Sequence, residues 1–184
     1  MGKSRHQRKK YSKPNHPWQS ERIEEEKKIS DEYGFTNKRQ IWKMKSLVRN
    51  FRAQARTVVG LRGDKKDTAT ATLINSLTRI GLVKKDATTD DVLNLNVRDL
   101  LERRLQTVVY KMGLSNSIKQ ARQFIIHRKI TVNSRVVSSP SYIIKKNDKV
   151  AARPGFKPQL VEVVTKKKPE EEAPTKIQEV PANG

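Results

Sequence analysis

The spacing of apolar residues changes period near residue 130. Up to Ile125 they recur every three or four positions, as on a helix with one buried face. From Ile130 they alternate with polar residues, as on a half-buried strand. That change excludes an all-helical bundle and an all-β barrel. It makes the chain α+β, with helices first and short antiparallel strands after them. No run approaches the roughly 20 apolar residues that span a bilayer. No apolar segment follows the basic N-terminus, so no secretion signal is expected. With no cysteine in the chain there is neither a disulfide framework nor a cysteine zinc site, which fits a reducing compartment.

The helical part divides at its caps and glycines. Residues 20–33 read as a helix with Ser20 as N-cap, Glu21, Glu24, Glu25 and Glu26 near its positive end, and Gly34 as its stop. Its apolar face (Ile23, Ile29, Tyr33) is thin, which places it on a surface. The clearest helix spans 37–59, between a Thr36 cap and Gly60. Ile41, Met44, Leu47, Val48, Phe51, Ala55, Val58 and Val59 fall there on one arc of roughly 120°. A third helix runs from about 68 to 80, with Asp67 as cap and Gly81 as stop, and Thr89–Leu93 adds a short turn. Asn96 then caps one helix through Met112, with Val97, Leu101, Leu105, Val108 and Met112 inward and Gly113 just past its end. Ser117 caps a helix to about Arg128, with Ile118, Ala121 and Ile125 inward.

The strands are short. Ile130–Val132 turns at Asn133-Ser134 into Arg135–Val137. Tyr142–Ile144 and Lys149–Ala151 flank a turn at Lys146-Asn147-Asp148, and Val161–Val164 is a last strand. From Lys166 onward the chain is polar, punctuated by Pro169, Pro174 and Pro181, and is expected to be a disordered acidic tail.

Charge narrows the partner. Lys and Arg number 40 against 19 Asp and Glu, a net charge of +21. Residues 1–60 hold 16 basic and 6 acidic side chains, and residues 101–168 hold 16 and 3. Residues 61–100, with 7 and 6, are nearly neutral, and the tail 169–184 is net negative. A chain so far from neutrality attracts polyanions, nucleic acid first and an anionic membrane surface a distant second. Residues 1–17 carry Lys3, Arg5, Arg8, Lys9, Lys10 and Lys13 and no acid. Such an arm is expected to order only on a polyanion. On the helix 37–59, Lys38, Lys45, Arg49, Arg52 and Arg56 share an arc of about 60° beside the apolar face. A solvated helix surface normally mixes signs at i,i+4, so an acid-free stripe favours phosphate contact.

Reactive constellations are lacking. His6, His16 and His127 have no second histidine or carboxylate at ligand spacing, so no metal is expected. There is no glycine-rich phosphate loop and no nucleophile turn. Asp99 and Glu102 lie three apart on one helix, which reads as surface charge or an ion pair. Neither an enzyme nor a cofactor is expected.

Residues 102–142 carry the strongest signal. They read helix, turn, helix, strand, turn, strand, with cations on both helices and in the hairpin. So small a unit buries little but offers a rigid basic surface. Such a surface suits structured RNA, which is recognised through phosphates, 2′-hydroxyls and shape. The segment resembles the RNA-binding domain of the ribosomal small-subunit protein four family. Motifs in the same order extend the resemblance over roughly residues 5–165: Arg8-Lys9-Lys10-Tyr11, His16-Pro17-Trp18, the run Arg49–Arg56, and Val97–Thr107. These motifs are similar to the archaeal and eukaryotic branch. Two departures stand out. Bacterial members often carry a cysteine zinc knuckle, absent here. The family's hairpin turn is commonly Asn-Gly, where this chain has Asn133-Ser134. A type I′ turn needs positive φ at both positions, costlier for Ser than for Gly. Another turn type, or a turn held by RNA, is therefore expected.

The resemblance implies a primary binder of small-subunit ribosomal RNA in the cytoplasmic ribosome, one that nucleates assembly and supports translational accuracy. It implies small-subunit proteins three and five as neighbours, near the channel through which messenger RNA enters. It implies RNA-facing roles for Arg103, Arg104, Lys111, Ser117, Lys119, Gln120, Arg122, Gln123, His127, Lys129, Asn133, Arg135 and Tyr142. The charge arcs and the arm add Arg49, Arg52, Arg56, Arg8, Lys9 and Lys10. Leu105, Val108 and Ala121 read as core. His127 reads equally as a core-edge residue or an RNA contact, and Tyr142 is expected to close the small core rather than stack on a base.

The chain then divides into a basic extension (1–35), a helical domain (36–98, joined by 151–165), the RNA-binding module (99–150) and the tail (166–184). Phe156, Leu160 and Val163 are expected to return to the helices for burial. Two other readings stay open. One is an RNA-modification factor, since the same module is appended to some pseudouridine synthases and tyrosyl-transfer-RNA synthetases. The other is a general basic nucleic-acid binder, for which binding would depend on charge and salt alone.

Overall fold

A computed structural model describes residues 9–156. It contains seven helices and three strands in that span: α1 (Ser20–Glu32), α2 (Lys38–Val59), α3 (Asp64–Ile80), α4 (Thr89–Leu93), α5 (Val97–Glu102), α6 (Leu105–Lys111), α7 (Ile118–Ile126), β1 (Ile130–Val132), β2 (Arg135–Val136) and β3 (Val150–Ala152). The class is α+β, as the change of period requires. Arg8, the expected strand Val161–Val164, the acidic tail, Leu160 and Val163 lie outside the described residues.

Helix α2 is the axis of the first core. Its buried Met44, Val48, Ala55 and Val58 meet Leu73 and Leu77 of α3, Val92 of α4, and Leu100 and Leu101 of α5, with Tyr33 closing one end. Val59, placed on the same arc by periodicity, is exposed at the helix end. Three caps differ from expectation. Asn37, not Thr36, begins α2, its side-chain oxygen accepting from the Arg39 N–H at 2.9 Å. Helix α3 starts one turn early, behind Gly63, which brings both Asp64 and Asp67 into the first turn, where the positive helix end favours them. Ser20 is the first helical residue of α1 rather than its cap. Asn96 and Asp99 form a reciprocal capping box at α5, as Thr88 and Asp91 do at α4.

The helix expected from Asn96 to Met112 is two helices. The chain breaks at Arg103-Arg104 because its backbone pairs elsewhere. The Leu105 N–H donates to the Tyr142 carbonyl at 2.8 Å and the Gln106 N–H to that of Pro140 at 3.4 Å, while the Ile144 N–H donates to the Arg103 carbonyl at 2.9 Å. Arg104 and Ile143 make an isolated antiparallel bridge. The Leu101 carbonyl accepts the Arg104 N–H at 3.2 Å and the Thr107 hydroxyl at 2.9 Å, which ties the two helix ends together across the break. Met112, expected inward, therefore sits exposed at the end of α6. Gly113 follows with φ +72°, the left-handed residue such a helix end favours.

The second core is small. Leu105 and Val109 of α6, Ala121 and Ile125 of α7, and Ile130 and Val132 of β1 bury together with Ile144. The strands run β2-β1-β3, all antiparallel. Tyr142–Ile144, expected to pair across the Lys146 turn, instead reaches back to the break between α5 and α6. Residues 150–152 take the open edge of β1, and Phe156 packs edge-on against Phe124 at 5.0 Å. Residues 150–156 therefore stay with the second core and do not return to the helices.

The hairpin keeps its type I′ turn despite Ser. Asn133 has φ +50° and Ser134 φ +65°. The Asn133 amide holds this conformation: it donates to Asp148 at 2.8 Å and accepts from the Lys149 N–H at 2.9 Å. Asp148 is drawn below the usual carboxylate range, first by the Lys145 backbone N–H it accepts and also by the Asn133 amide. Another turn type, or a hold by RNA, was expected; instead the turn keeps positive φ at both residues and the protein's own Asn133 amide braces it. Ser134→Gly should therefore stabilise the protein by about 1 kcal/mol, the left-handed penalty of a non-glycine residue. Urea denaturation checks this, and a neutral result would mean that Ser134 is unstrained.

Candidate nucleic-acid interface

Glu26 organises the approach to α2. It is buried on α1, and its Oε1 accepts from the Trp42 indole at 3.0 Å and from Arg22 at 3.0 Å, with Lys45 3.6 Å away. Arg22 also donates to the carbonyls of His16 and Pro17 at 3.1 and 2.8 Å. Tyr11 lies against Trp42 with ring centroids 6.1 Å apart, and Lys9 sits over the Tyr11 ring at 5.4 Å. The described part of the basic arm is thus laid along α2. The thin apolar face of α1 concealed this, because its anchor is a carboxylate.

Two clefts follow. The first, of about 610 Å³, lies between arm and α2 and includes Lys9, Lys10, Lys43 and Arg49 in its wall. The second, of about 290 Å³, lies between α2 and the second core and includes Lys43, Arg104 and Arg122. Lys43 and Met44 belong to both, so they form one basic groove. Among the described residues no carboxylate lines either cleft. Lys43 lies off the cation arc of α2, and only the cleft it shares with Arg104 and Arg122 reveals it. A further basic cleft gathers Arg79, Lys85, Lys145 and Lys146, from segments that periodicity treated separately.

Several residues assigned to RNA by resemblance, and two cations of the α2 stripe, make contacts within the protein. Arg104 is buried, 1% exposed: it donates to Gln40 at 2.8 Å and its guanidinium lies 4.6 Å from the centre of the Phe35 ring. Burial, and then the charge of Arg122, lower its pKa to about 10, so it stays charged at neutral pH. Arg103 turns inward, donating twice to the Gly81 carbonyl at 3.2 and 2.9 Å. Arg52, on the cation stripe, donates to the Leu95 carbonyl, and Lys45 pairs with Glu26. Lys111 lies 3.3 Å from Glu102. Ser117 caps α7 by accepting from the Gln120 N–H, and the Gln120 side chain accepts from the Asn116 N–H at 2.7 Å. Asn133 braces the hairpin. Lys129 covers the rings of Phe124 and Phe156 at 5.7 and 4.6 Å. Tyr142 is 36% exposed and contributes to the second core only through its backbone.

The others face outward. Lys119, Gln123, His127 and Arg135 are exposed on α7, its C-terminal end and β2, and Arg49 and Arg56 are exposed on α2. His127 is therefore not a core-edge residue. Arg122 is half-buried beside Arg104. Among the described residues no group of His, Cys, Asp and Glu could hold a metal ion, and no helix is long and apolar enough to cross a membrane.

Residues 103–150 match the S4 domain family. The match begins at the break between α5 and α6, where the second core starts. The small ribosomal subunit protein uS4 of Ignicoccus hospitalis is 49% identical over 148 residues, covering 80% of this chain and 89% of the relative. The chain belongs to the uS4 family, of the archaeal type. The uS4 protein of Methanococcus aeolicus is 48% identical over 145 residues (78% of this chain, 82% of the relative). That of Saccharolobus solfataricus is 49% identical over 145 residues (78% and 80%). Such coverage exceeds the S4 domain alone. The uS4 likeness thus extends into the helices that form the other wall of the groove.

Proposed function

We propose that the chain is a structural constituent of the small ribosomal subunit and binds small-subunit ribosomal RNA along the groove from the arm, across α2, to α7. One observation carries this reading: among the described residues the groove is lined by cations from three separate parts of the chain and by no carboxylate. Phosphates are what such a wall attracts, and its rigid curvature supplies shape selection. Lys119, Gln123, His127 and Arg135 extend the contact on the module. Arg104 serves from inside, and Arg103, Arg52, Gln120 and Asn133 hold the scaffold. The chain works by binding, without turnover. It joins the subunit in the cytoplasm as a primary binder, nucleates assembly and supports accuracy. Its neighbours are small-subunit proteins three and five, close to incoming messenger RNA. The helices up to α5, rather than to residue 98 as expected, form one wall, and the module from Arg103 forms the other.

Filter binding to small-subunit ribosomal RNA, against an unrelated structured RNA at about 50 and 200 mM salt, tests this over the range in which phosphate contacts weaken steeply. A preference for the ribosomal RNA that survives the higher salt is expected. Lys43→Ala and Arg49→Ala should each weaken binding and lower the salt slope by about one. Equal affinity for both RNAs, collapsing together with salt, would return the protein to a general polycation.

A further inference from the structure

Among the described residues nothing compensates the positive charge of Arg104. Of its guanidinium nitrogens only Nη2 has a partner there, the neutral Gln40 amide oxygen. Nε and Nη1 are buried without a hydrogen-bond partner. The ion pairs among the described residues do not include it. The charge that acts on it across the cleft is that of Arg122, another cation. A buried charge without a counter-charge is costly, and two cations facing one cleft add repulsion. Arg104 nevertheless sits at the break between α5 and α6, in the wall of a cleft that also presents Arg122, Lys43, Gln40 and Ser141. Among the described residues the cleft has cations and neutral polar groups and no group of opposite charge.

From this we infer that the cleft between α2 and α7 is a seat for one phosphoryl oxyanion, closed by Arg104 from beneath and by Arg122 and Lys43 from the sides. Guanidinium groups match phosphoryl oxygens in planar, charge-assisted pairs, and the orphaned Nε and Nη1 are the donors such a pair would use. The anion supplies the missing counter-charge. Because Arg104 belongs to the junction of the two cores and Lys43 to α2, an occupied seat ties one wall of the groove to the other. Within the ribosomal-RNA reading, on which this inference rests, the occupant is a backbone phosphodiester whose binding locks the junction. A free phosphate has the same chemistry and would do the same off the ribosome.

The test uses the full chain without RNA. Thermal unfolding is followed against inorganic phosphate, and separately against a dinucleotide with one internal phosphodiester, each at ionic strength held constant with chloride. Wild-type protein should show a saturable rise of about 5 °C, the response to a ligand well above its Kd. Arg104→Met should lose the saturable response while being no less stable in chloride, since it removes an uncompensated charge. Arg122→Gln, at a half-buried position, should lose most of it and serves if Arg104→Met fails to fold. A response to both probes assigns the seat to RNA backbone, and a response to inorganic phosphate alone assigns it to a free anion. Equal responses in wild type and both variants, or an unsaturated rise, would be a general salt effect and would overturn the seat. Ribosomal-RNA preference in wild type is measured in parallel. If it persists without a phosphate response, only the seat falls. If it is absent, the underlying reading falls as well.

Discussion

Glu26→Ala is expected to destabilise the protein by about 3 kcal/mol, the usual cost of removing one partner from a buried ion pair. For a chain of this length that is a fall in Tm of about 6–12 °C, read by calorimetry. The carboxylate is 1% exposed and collects the Trp42 indole, Arg22 and Lys45 on one oxygen. Alanine would strand the indole N–H and leave two cations facing each other. Arg22 would also lose the anchor that lets it hold the His16 and Pro17 carbonyls. The arm should then come away from α2, and ribosomal-RNA affinity should fall although the net charge rises. Glu26→Gln keeps an acceptor for Trp42 and should lose roughly half as much, since only the charge-assisted part disappears. A loss below about 1 kcal/mol for the alanine variant would mean that water replaces the carboxylate and that the arm is held by the Tyr11–Trp42 contact and the hydrogen bonds of Ser12 with Ser46 and Arg49.

Gly34→Ala should cost about 3 kcal/mol, for two additive reasons. Gly34 has φ +60°, where a side chain costs about 1–2 kcal/mol. A Cβ there would also lie 2.7 Å from the Ile118 Cγ2 and 3.1 Å from the Gln106 Nε2. Ile118 is β-branched and its rotamer is stiff, so the clash is relieved only by moving α7, at roughly 1–3 kcal/mol. The same Gln106 amide donates to the Gly34 carbonyl at 3.3 Å and to the Ile118 carbonyl at 3.1 Å. Gly34 is therefore where the first helices press on the module. Besides the lower Tm, the variant should bind ribosomal RNA with less preference over unrelated RNA. Its salt slope should be unchanged, because no cation is removed. Stability within about 0.5 kcal/mol of wild type would show that the junction yields, and that the groove walls are not rigidly joined.

Much of the architecture was legible from local pattern. The buried face of α2 from Met44 to Val58 needed only the period, and the helix stops at Gly81 and Gly113 needed only a residue tolerant of positive φ. Ser117 and Asn96 were recognisable as caps because their side chains satisfy N–H groups a few residues away. The cation stripe was legible as charge but not as availability. Arg52 and Lys45 sit on it beside Arg49 and Arg56, yet Leu95 and Glu26, distant in sequence, occupy the first two. Arg103 and Arg104 likewise looked like surface cations on one long helix. They became scaffold because residues 140–144 compete for the backbone at that point.

The sequence by itself determined the class, the order of helices before strands, the excess of positive charge and the kind of partner that charge attracts. These follow from spacing and composition, which act over a few residues or over the whole chain at once. Only the tertiary structure decided which cations meet, that Lys43 joins the two clefts, that Arg104 lies buried with no counter-charge among the described residues, and that Asn133 braces the hairpin. Each of these turns on a contact between segments 15 or more residues apart. Such a contact is set by how two cores seat against each other, and no local period encodes it.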